Sequence, residues 1–334
     1  MTGASAAPPR ACARVATLTL NPTIDTALEA GEIVHTHKIR TSGERIDPGG
    51  GGINVARVLV RFGAPVQAIF MAGGSTGRLL DRLLEREQVQ RTLVPIAGET
   101  RVSVTVFESS TGREYRLVPE GPVLSRPEWQ ECLKRVADVE CDYFVGSGSL
   151  PAGVPPDFYA QVAVTLAARS IRFVLDTSSE ALEPALRSRS LFLVKPSRSE
   201  LEALAGTALP EIEAVVGAAA RIVAEGGAEN VAVSLGDEGA VLVNRAGAEF
   251  MPAIAVEGRS AVGAGDSFLA AMTYAFARGA DSTTALRLGV AAGAAATISP
   301  GTDLCHPWDV NRLAADERAR NRVIRFGAAG GRTR

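Results

Sequence analysis

Short runs rich in valine, isoleucine and leucine recur along the chain, each closed by turn-forming residues, and between them apolar positions return with helical period. The runs predict strands at Val15–Leu20, Val66–Met71, Tyr143–Gly146, Arg172–Asp176, Leu191–Val194 and Val231–Leu235. The longer segments predict helices at Ile53–Phe62, Arg78–Arg86, Pro127–Asp138, Pro156–Ala168, Ser199–Ala205 and Glu211–Glu225. Strands that are apolar throughout need cover on both faces, and the spacing leaves room for crossover helices between parallel neighbours. The fold class is therefore α/β.

Two stretches break this rhythm. In Asp25–Ile46 and Arg101–Val118 the alternation of VSVTVFE and YRLV predicts strands with one wet face, which could form a small separate sheet. Phe250–Ala255 reads as a further strand, and two Ala-rich helical segments run from Gly265 to about Thr297. Residues 1–13 and 317–334 look like tails by composition.

Composition narrows the function. The 334 residues are 46% hydrophobic and 22% charged, enough for a substantial core, and 35 basic against 37 acidic side chains leave a net charge of −2. No broad positive field exists to gather nucleic acid or an anionic membrane. Cys12, Cys132, Cys141 and Cys305 form no CxxC pair, and His35, His37 and His306 add no metal-binding spacing. No apolar run approaches the roughly 18 residues of a membrane span, and MTGASAAPPRAC does not read as a signal peptide, so a cytoplasmic location is expected. Lysine is confined to Lys38, Lys134 and Lys195.

Two glycine-rich segments carry candidate chemistry. Pro48–Arg57 (PGGGGINVAR) sets Gly49, Gly50, Gly51 and Gly52 before a helical pattern, at a backbone cost of about 2–4 kcal/mol relative to alanine. Either this is a flexible loop, or its glycines let a polyol or phosphate approach the backbone at a helix start. Ala261–Ser267 (AVGAGDS) would let the amides of Gly263, Ala264 and Gly265 converge at a helix start, where negative charge is stabilised. Asp266 is then either an N-cap or a base that accepts a proton from an attacking hydroxyl. The phosphate loop GxxxxGKS/T is absent because no lysine follows a glycine, and protein-kinase and GxSxG signatures are absent too.

Taken in order, TLTLNPTID (Thr17–Asp25), PGGGGINVAR, SGSLP (Ser147–Pro151), VKP (Val194–Pro196), VSLG (Val233–Gly236) and VGAGDS (Val262–Ser267) resemble the ribokinase-like, or PfkB, carbohydrate kinases over residues 14–316. The resemblance implies a three-layer αβα sandwich with a mainly parallel central sheet. It also implies a small β-lid, from residues 25–46 and 98–118, that closes over sugar and pairs two subunits as a homodimer. Within the family the phosphofructokinase branch is the nearest. That implies ATP- and Mg²⁺-dependent phosphorylation of the 1-hydroxyl of fructose 6-phosphate, a glycolytic step.

The resemblance also implies roles. Asp266 is the base, and Gly263, Ala264 and Gly265 hold the transferring phosphoryl group. Asp25, the Gly49–Gly52 loop and Asn54 meet sugar hydroxyls. Asn54, Arg101, Arg116 and Ser149 hold the acceptor's phosphate, with Arg40 reaching from a partner's lid, and the planar guanidinium fork suits phosphate. Lys195, Ser197, Ser234, Gly236 and Gly239 line the ATP site, Val290 to Ala294 border adenine, and Glu200 serves magnesium through water. Two positions depart from the pattern. Gly51 stands where other sugar-phosphate kinases usually read GlyGlyLysGly, which favours fructose 6-phosphate, and Ser197 replaces the asparagine of an Asn-x-x-Glu element. Lys38 matches a position contacting a second, inhibitory nucleotide. The rival readings are fructose 1-phosphate, tagatose 6-phosphate or a nucleoside as acceptor, and a non-catalytic nucleotide- or sugar-binding regulator.

Overall fold

In a computed structural model, which describes residues 12–258, 260–315 and 323–326, the chain opens with β1 (Val15–Thr19), β2 (Thr23–Ala30) and β3 (Thr41–Gly49). It continues through α1 (Gly51–Arg61), β4 (Val66–Ala72), α2 (Gly74–Arg86), β5 (Gln90–Pro95), β6 (Arg101–Glu108), β7 (Arg113–Leu117) and α3 (Arg126–Asp138). Next come β8 (Tyr143–Ser147), α4 (Phe158–Ala167), β9 (Arg172–Asp176), α5 (Ser179–Arg187), β10 (Leu191–Val194), α6 (Arg198–Ala205) and α7 (Ile212–Ala224). The remainder holds β11 (Ala228–Ser234), β12 (Gly239–Asn244), β13 (Gly247–Pro252), α8 (Ala264–Ala277), α9 (Ser282–Ile298), α10 (Pro307–Ala315) and β14 (Ile324–Phe326).

The large sheet runs β14-β13-β12-β11-β10-β9-β8-β1-β4-β5. Every pairing from β11 to β5 is parallel, and β12, β13 and β14 are added antiparallel. Successive residues point to opposite faces, so Val15, Tyr143 and Val145 enter one core while Ala16, Leu18 and Phe144 enter the other. The first core is roofed by α1, α2, α8, α9 and α10, the second by α3 to α7. A Cβ on Gly289 would lie 2.7 Å from Met272 Cγ, which shows how closely α8 and α9 approach and why both are rich in alanine.

The expected separate sheet is present, in the order β3-β2-β6-β7, with β2 and β6 parallel and the outer pairs antiparallel. Its strands are half wet, and Ile46, Phe107, Leu117 and Val118 are exposed.

Several elements escaped the sequence pattern. β5 is an edge strand of mixed polarity, β12 is a short run between glycine and asparagine, α5 carries an internal Pro184, and α10 is a single amphipathic segment. The segment read as a C-terminal tail holds β14, which pairs Ile324–Phe326 with β13 and buries Phe326. A three-residue strand is too short to show periodicity. At the other end, Ala13 N donates to Ala277 O at 3.0 Å and Cys12 packs on the core, while residues 1–11, 317–322 and 327–334 of the expected tails lie outside the described residues.

Candidate active site

Of the predicted site residues, Lys195, Ser197, Ser234 and Ser149 lie where the parallel strands end, and Asp266, Asn54 and the glycine turn meet them there. From β1 the chain passes to β4 and β5 on one side of the sheet and later to β8 through β11 on the other. Such a reversal leaves a crevice beyond the carboxyl ends of the strands. Pro48–Gly52 descends from the small sheet into this crevice and starts α1.

The glycine run is a packed turn rather than a flexible loop. A Cβ on Gly49 would lie 2.0 Å from Asp25 Oδ2, one on Gly51 would lie 2.2 Å from Ser147 Oγ, and one on Gly52 2.4 Å from Leu18 O. Gly50, with φ +107°, is the N-cap of α1 and abuts Pro22. Close approach to the protein itself thus accounts for part of the glycine cost. The same approach seats the Asp25 carboxylate against the helix start. That helix aims Asn54 across the crevice, where its Nδ2 donates to Asp266 Oδ2 at 2.9 Å.

Gly263, with φ +71°, caps α8, and a Cβ there would strike Leu304 Cδ2 at 2.3 Å. Asp266 is the third helical residue and makes no capping hydrogen bond, so the N-cap alternative falls. Its carboxylate faces the crevice. Burial pushes its pKa up to about 6, with Asp176 and Asp25 adding to the rise and the Asn54 hydrogen bond and Lys195 opposing it. In the first turn of α8, Ala264 N donates to Ala261 O at 3.4 Å, while the N–H groups of Gly265 and Asp266 have no helical acceptor and leave donors beside this acid.

On the expected nucleotide side, Lys195 is buried and its Nζ lies 3.1 Å from Asp176 Oδ1. A Cβ on Gly265 would be 3.7 Å from that Nζ, so the ammonium faces the start of α8. Burial works against the charged ammonium, yet Asp176 holds its pKa above the usual lysine value. Ser197 bridges to Ser234 across the strand ends. Ser197 and Glu200 form a capping box, in which Ser197 N donates to Glu200 Oε2 at 2.8 Å and Glu200 N to Ser197 Oγ at 3.3 Å. Serine in place of asparagine therefore has a local explanation: it caps α6. Gly236 and Gly239 form the turn into β12 with φ +62° and +125°. Val290 is buried and Ala294 half-buried on α9, both within the packing of the first core.

On the acceptor side, Arg101 starts β6 beside Thr23. Its terminal nitrogens donate to Pro119 O and Asn21 O, both at 2.8 Å, and its Nε is buried without a partner. Burial pushes the Asp25 pKa up to about 6, resisted by Arg116, Arg57 and Arg101. Arg116 is exposed on β7 and Ser149 is exposed just beyond β8. Arg40 and Lys38 lie exposed between β2 and β3, away from any partner among the described residues.

Two residues at the site escaped the sequence reading. Asp176 ends β9 and pairs with Lys195; only its place at the end of an apolar strand could have flagged it. Arg57, the last residue of the glycine motif, is 1% exposed and donates to Pro48 O at 2.9 Å, bracing the turn that holds Gly49. A charged residue on the apolar stripe of α1 was the available signal. Among the described residues no group of three His, Cys, Asp or Glu side chains could hold a metal ion.

Comparison with known proteins bears on the family and the fold. The model for "pfkB family carbohydrate kinase" matches residues 19–309. The ATP-dependent 6-phosphofructokinase isozyme 2 of Mycobacterium tuberculosis (strain ATCC 25618 / H37Rv) is 42% identical over 302 residues, covering 90% of this chain and 88% of that one. The crystal structure of phosphofructokinase-2 from Escherichia coli in complex with substrates and products superposes with a TM-score of 0.87 at 39% identity, covering 90% and 98% of the two chains. A 1-phosphofructokinase of Bacillus subtilis (strain 168) is more distant, at 33% identity over 85% of this chain and 92% of that one. With the motifs, the crevice and these matches in agreement, the chain belongs to the pfkB family of carbohydrate kinases.

Proposed function

We propose that this enzyme transfers the γ-phosphoryl group of ATP to the 1-hydroxyl of fructose 6-phosphate, giving fructose 1,6-bisphosphate and ADP. The observation that carries the reading is Asp266, set among the first-turn amides of α8, hydrogen-bonded to Asn54 and facing Lys195, with its pKa pushed up to about 6. A carboxylate so tuned is ionised at neutral pH yet basic enough to take a proton as the new bond forms. Asp25, against Gly49, orients the sugar hydroxyls. Arg101, Arg116, Ser149 and Asn54 hold the 6-phosphate, for which a planar guanidinium is suited. The amides of Gly263, Ala264 and Gly265 and the Lys195 ammonium meet the charge on the transferring group, and closure of the small sheet excludes water.

Magnesium commonly travels with nucleotide phosphates and keeps several waters, so it needs no all-protein cage. The residues fit that mode: Glu200 Oε1 takes no hydrogen bond among the described residues and is free to hold a magnesium water. The ion's contribution is to neutralise phosphate charge. Any Cβ at position 51 would lie 2.2 Å from Ser147 Oγ, so glycine is required there by packing, and the departure from GlyGlyLysGly supports fructose 6-phosphate only as a sequence signal. The exposed Ile46, Phe107, Leu117 and Val118 support a homodimer formed through the small sheet, with Arg40 crossing to the partner. Among the described residues no helix is long and apolar enough to cross a membrane, and we assign the enzyme to the cytoplasm.

An ADP-release assay over fructose 6-phosphate, fructose 1-phosphate, tagatose 6-phosphate and nucleosides tests the function. The largest kcat/KM is expected with fructose 6-phosphate; a preference for another acceptor would reassign the substrate, and no sugar-dependent turnover would favour the regulator.

A further inference from the structure

Away from the reacting groups, a charged cluster joins the small sheet to the start of α8. Asp47 of β3 is 6% exposed and accepts from Thr302 Oγ1 at 2.6 Å, Arg45 Nε at 2.6 Å and Arg57 at 3.3 Å. Asp303 Oδ1 lies 3.2 Å from Arg45 of the same strand and 2.9 Å from Arg61 of α1. Arg61 also donates to Leu304 O at 2.8 Å. Leu304 is fully buried against Gly263, the cap of α8, and a Cβ on Gly301 would sit 3.1 Å from Ala27 Cβ of β2. The segment Gly301–Leu304 therefore touches the edge strand β3, its inner neighbour β2 and the helix start that carries Asp266.

Stability alone is a poor account of this cluster. Drawing charged side chains out of water costs about as much as their pairing returns, whereas such networks can fix one arrangement against its alternatives. Here the contacts run from the small sheet to the start of α8.

We propose that Asp303 is a positioning residue for phosphoryl transfer. Through Arg45 it holds β3, and through Arg61 it holds the turn that seats Leu304 on Gly263, so that closure of the small sheet and alignment of the α8 amides are set together. This rests on the kinase reading above, and its first test does not depend on it. Amide hydrogen exchange at residues 264–267 is compared between the parent protein and Arg45→Met, a change made only in the small sheet. Exchange at least about threefold faster at that helix start, with the β8–β10 amides unchanged, is the expected result; exchange unaltered there overturns the proposal.

The second test is kinetic. Asp303→Asn and Arg45→Met should each lower kcat about tenfold and raise the ratio of ATP hydrolysed to sugar phosphorylated, with KM for ATP within about twofold. Because both interrupt the same serial chain from β3 to α8, the double variant should lose about tenfold rather than about a hundredfold, and Asp303→Glu should restore most of the rate. Multiplying losses, or rates that fall only in proportion to the folded fraction, would reduce Asp303 to a structural role. A parent protein that shows the exchange coupling but no sugar-dependent turnover would refute the kinase reading and leave the mechanical link standing.

Discussion

The two sheets of this molecule are built to different standards. Every residue of β1, β8 and β10 is buried, whereas β7 is exposed at all but one position and β3 is wet over its first half. The large sheet has two cores to fix its strand ends, and those ends carry Asp176, Lys195 and Ser147. The small sheet has one covered face, and it carries Asp25, Arg101 and Arg116. On the proposed reading, the groups that need sub-ångström placement fall at the fully buried strand ends, and recognition of the acceptor falls on the half-wet sheet with the weaker packing. Glycines join the two, because only a backbone without Cβ lets Asp25 reach the helix start.

The division of labour is broken most severely by Asp266→Asn. We expect kcat to fall at least about 10²-fold with the KM for fructose 6-phosphate within about twofold, measured by steady-state ADP release. Undiminished turnover would remove Asp266 from the chemistry. Arg101→Ala is the mirror experiment on the small sheet. The KM for sugar phosphate should rise about tenfold or more and that for ATP less than about twofold, whereas equal rises would take Arg101 out of the acceptor subsite.

Two smaller effects sharpen the contrast. With its pKa raised to about 6, Asp266 is protonated below that pH, so kcat/KM should fall about tenfold per unit as pH drops below 6 and level off above it. In Asp266→Asn the residual rate should lose that slope. The same shift has a consequence for stability. A carboxyl whose pKa is higher folded than unfolded, about 6 against about 3.9, costs stability that appears as pH rises from 4 to 6 and persists above. Asp266→Asn should therefore stabilise the free enzyme by about 1–2 kcal/mol at pH 7.5, and the gain should vanish near pH 4 in urea unfolding. A gain independent of pH would mean that burial of this charge is not its source.

What was legible in the sequence follows the same division. The buried strands were readable because two-sided cover demands continuous apolar runs, and Arg172–Asp176 and Leu191–Val194 hold to the residue. The small sheet was readable as alternation. Short or edge elements such as β5, β12 and β14 were not, because pairing rather than pattern makes them strands. At the site, Asp266 and the glycine turns showed in local motifs. Asp176, Arg57 and Asp303 did not, since each acts through a partner far along the chain: Lys195, the Pro48 carbonyl and Arg45. Ser197 was legible as a departure, but its reason, the cap it gives α6 with Glu200, needed the fold.

The central claim is that the two sheets together direct one phosphoryl group to one hydroxyl. Phosphorus NMR of the product made from ATP and fructose 6-phosphate tests it most directly. The account predicts a single bisphosphate esterified at positions 1 and 6, formed in step with ADP; inorganic phosphate alone, or a phosphoryl group on any other sugar oxygen, would contradict it.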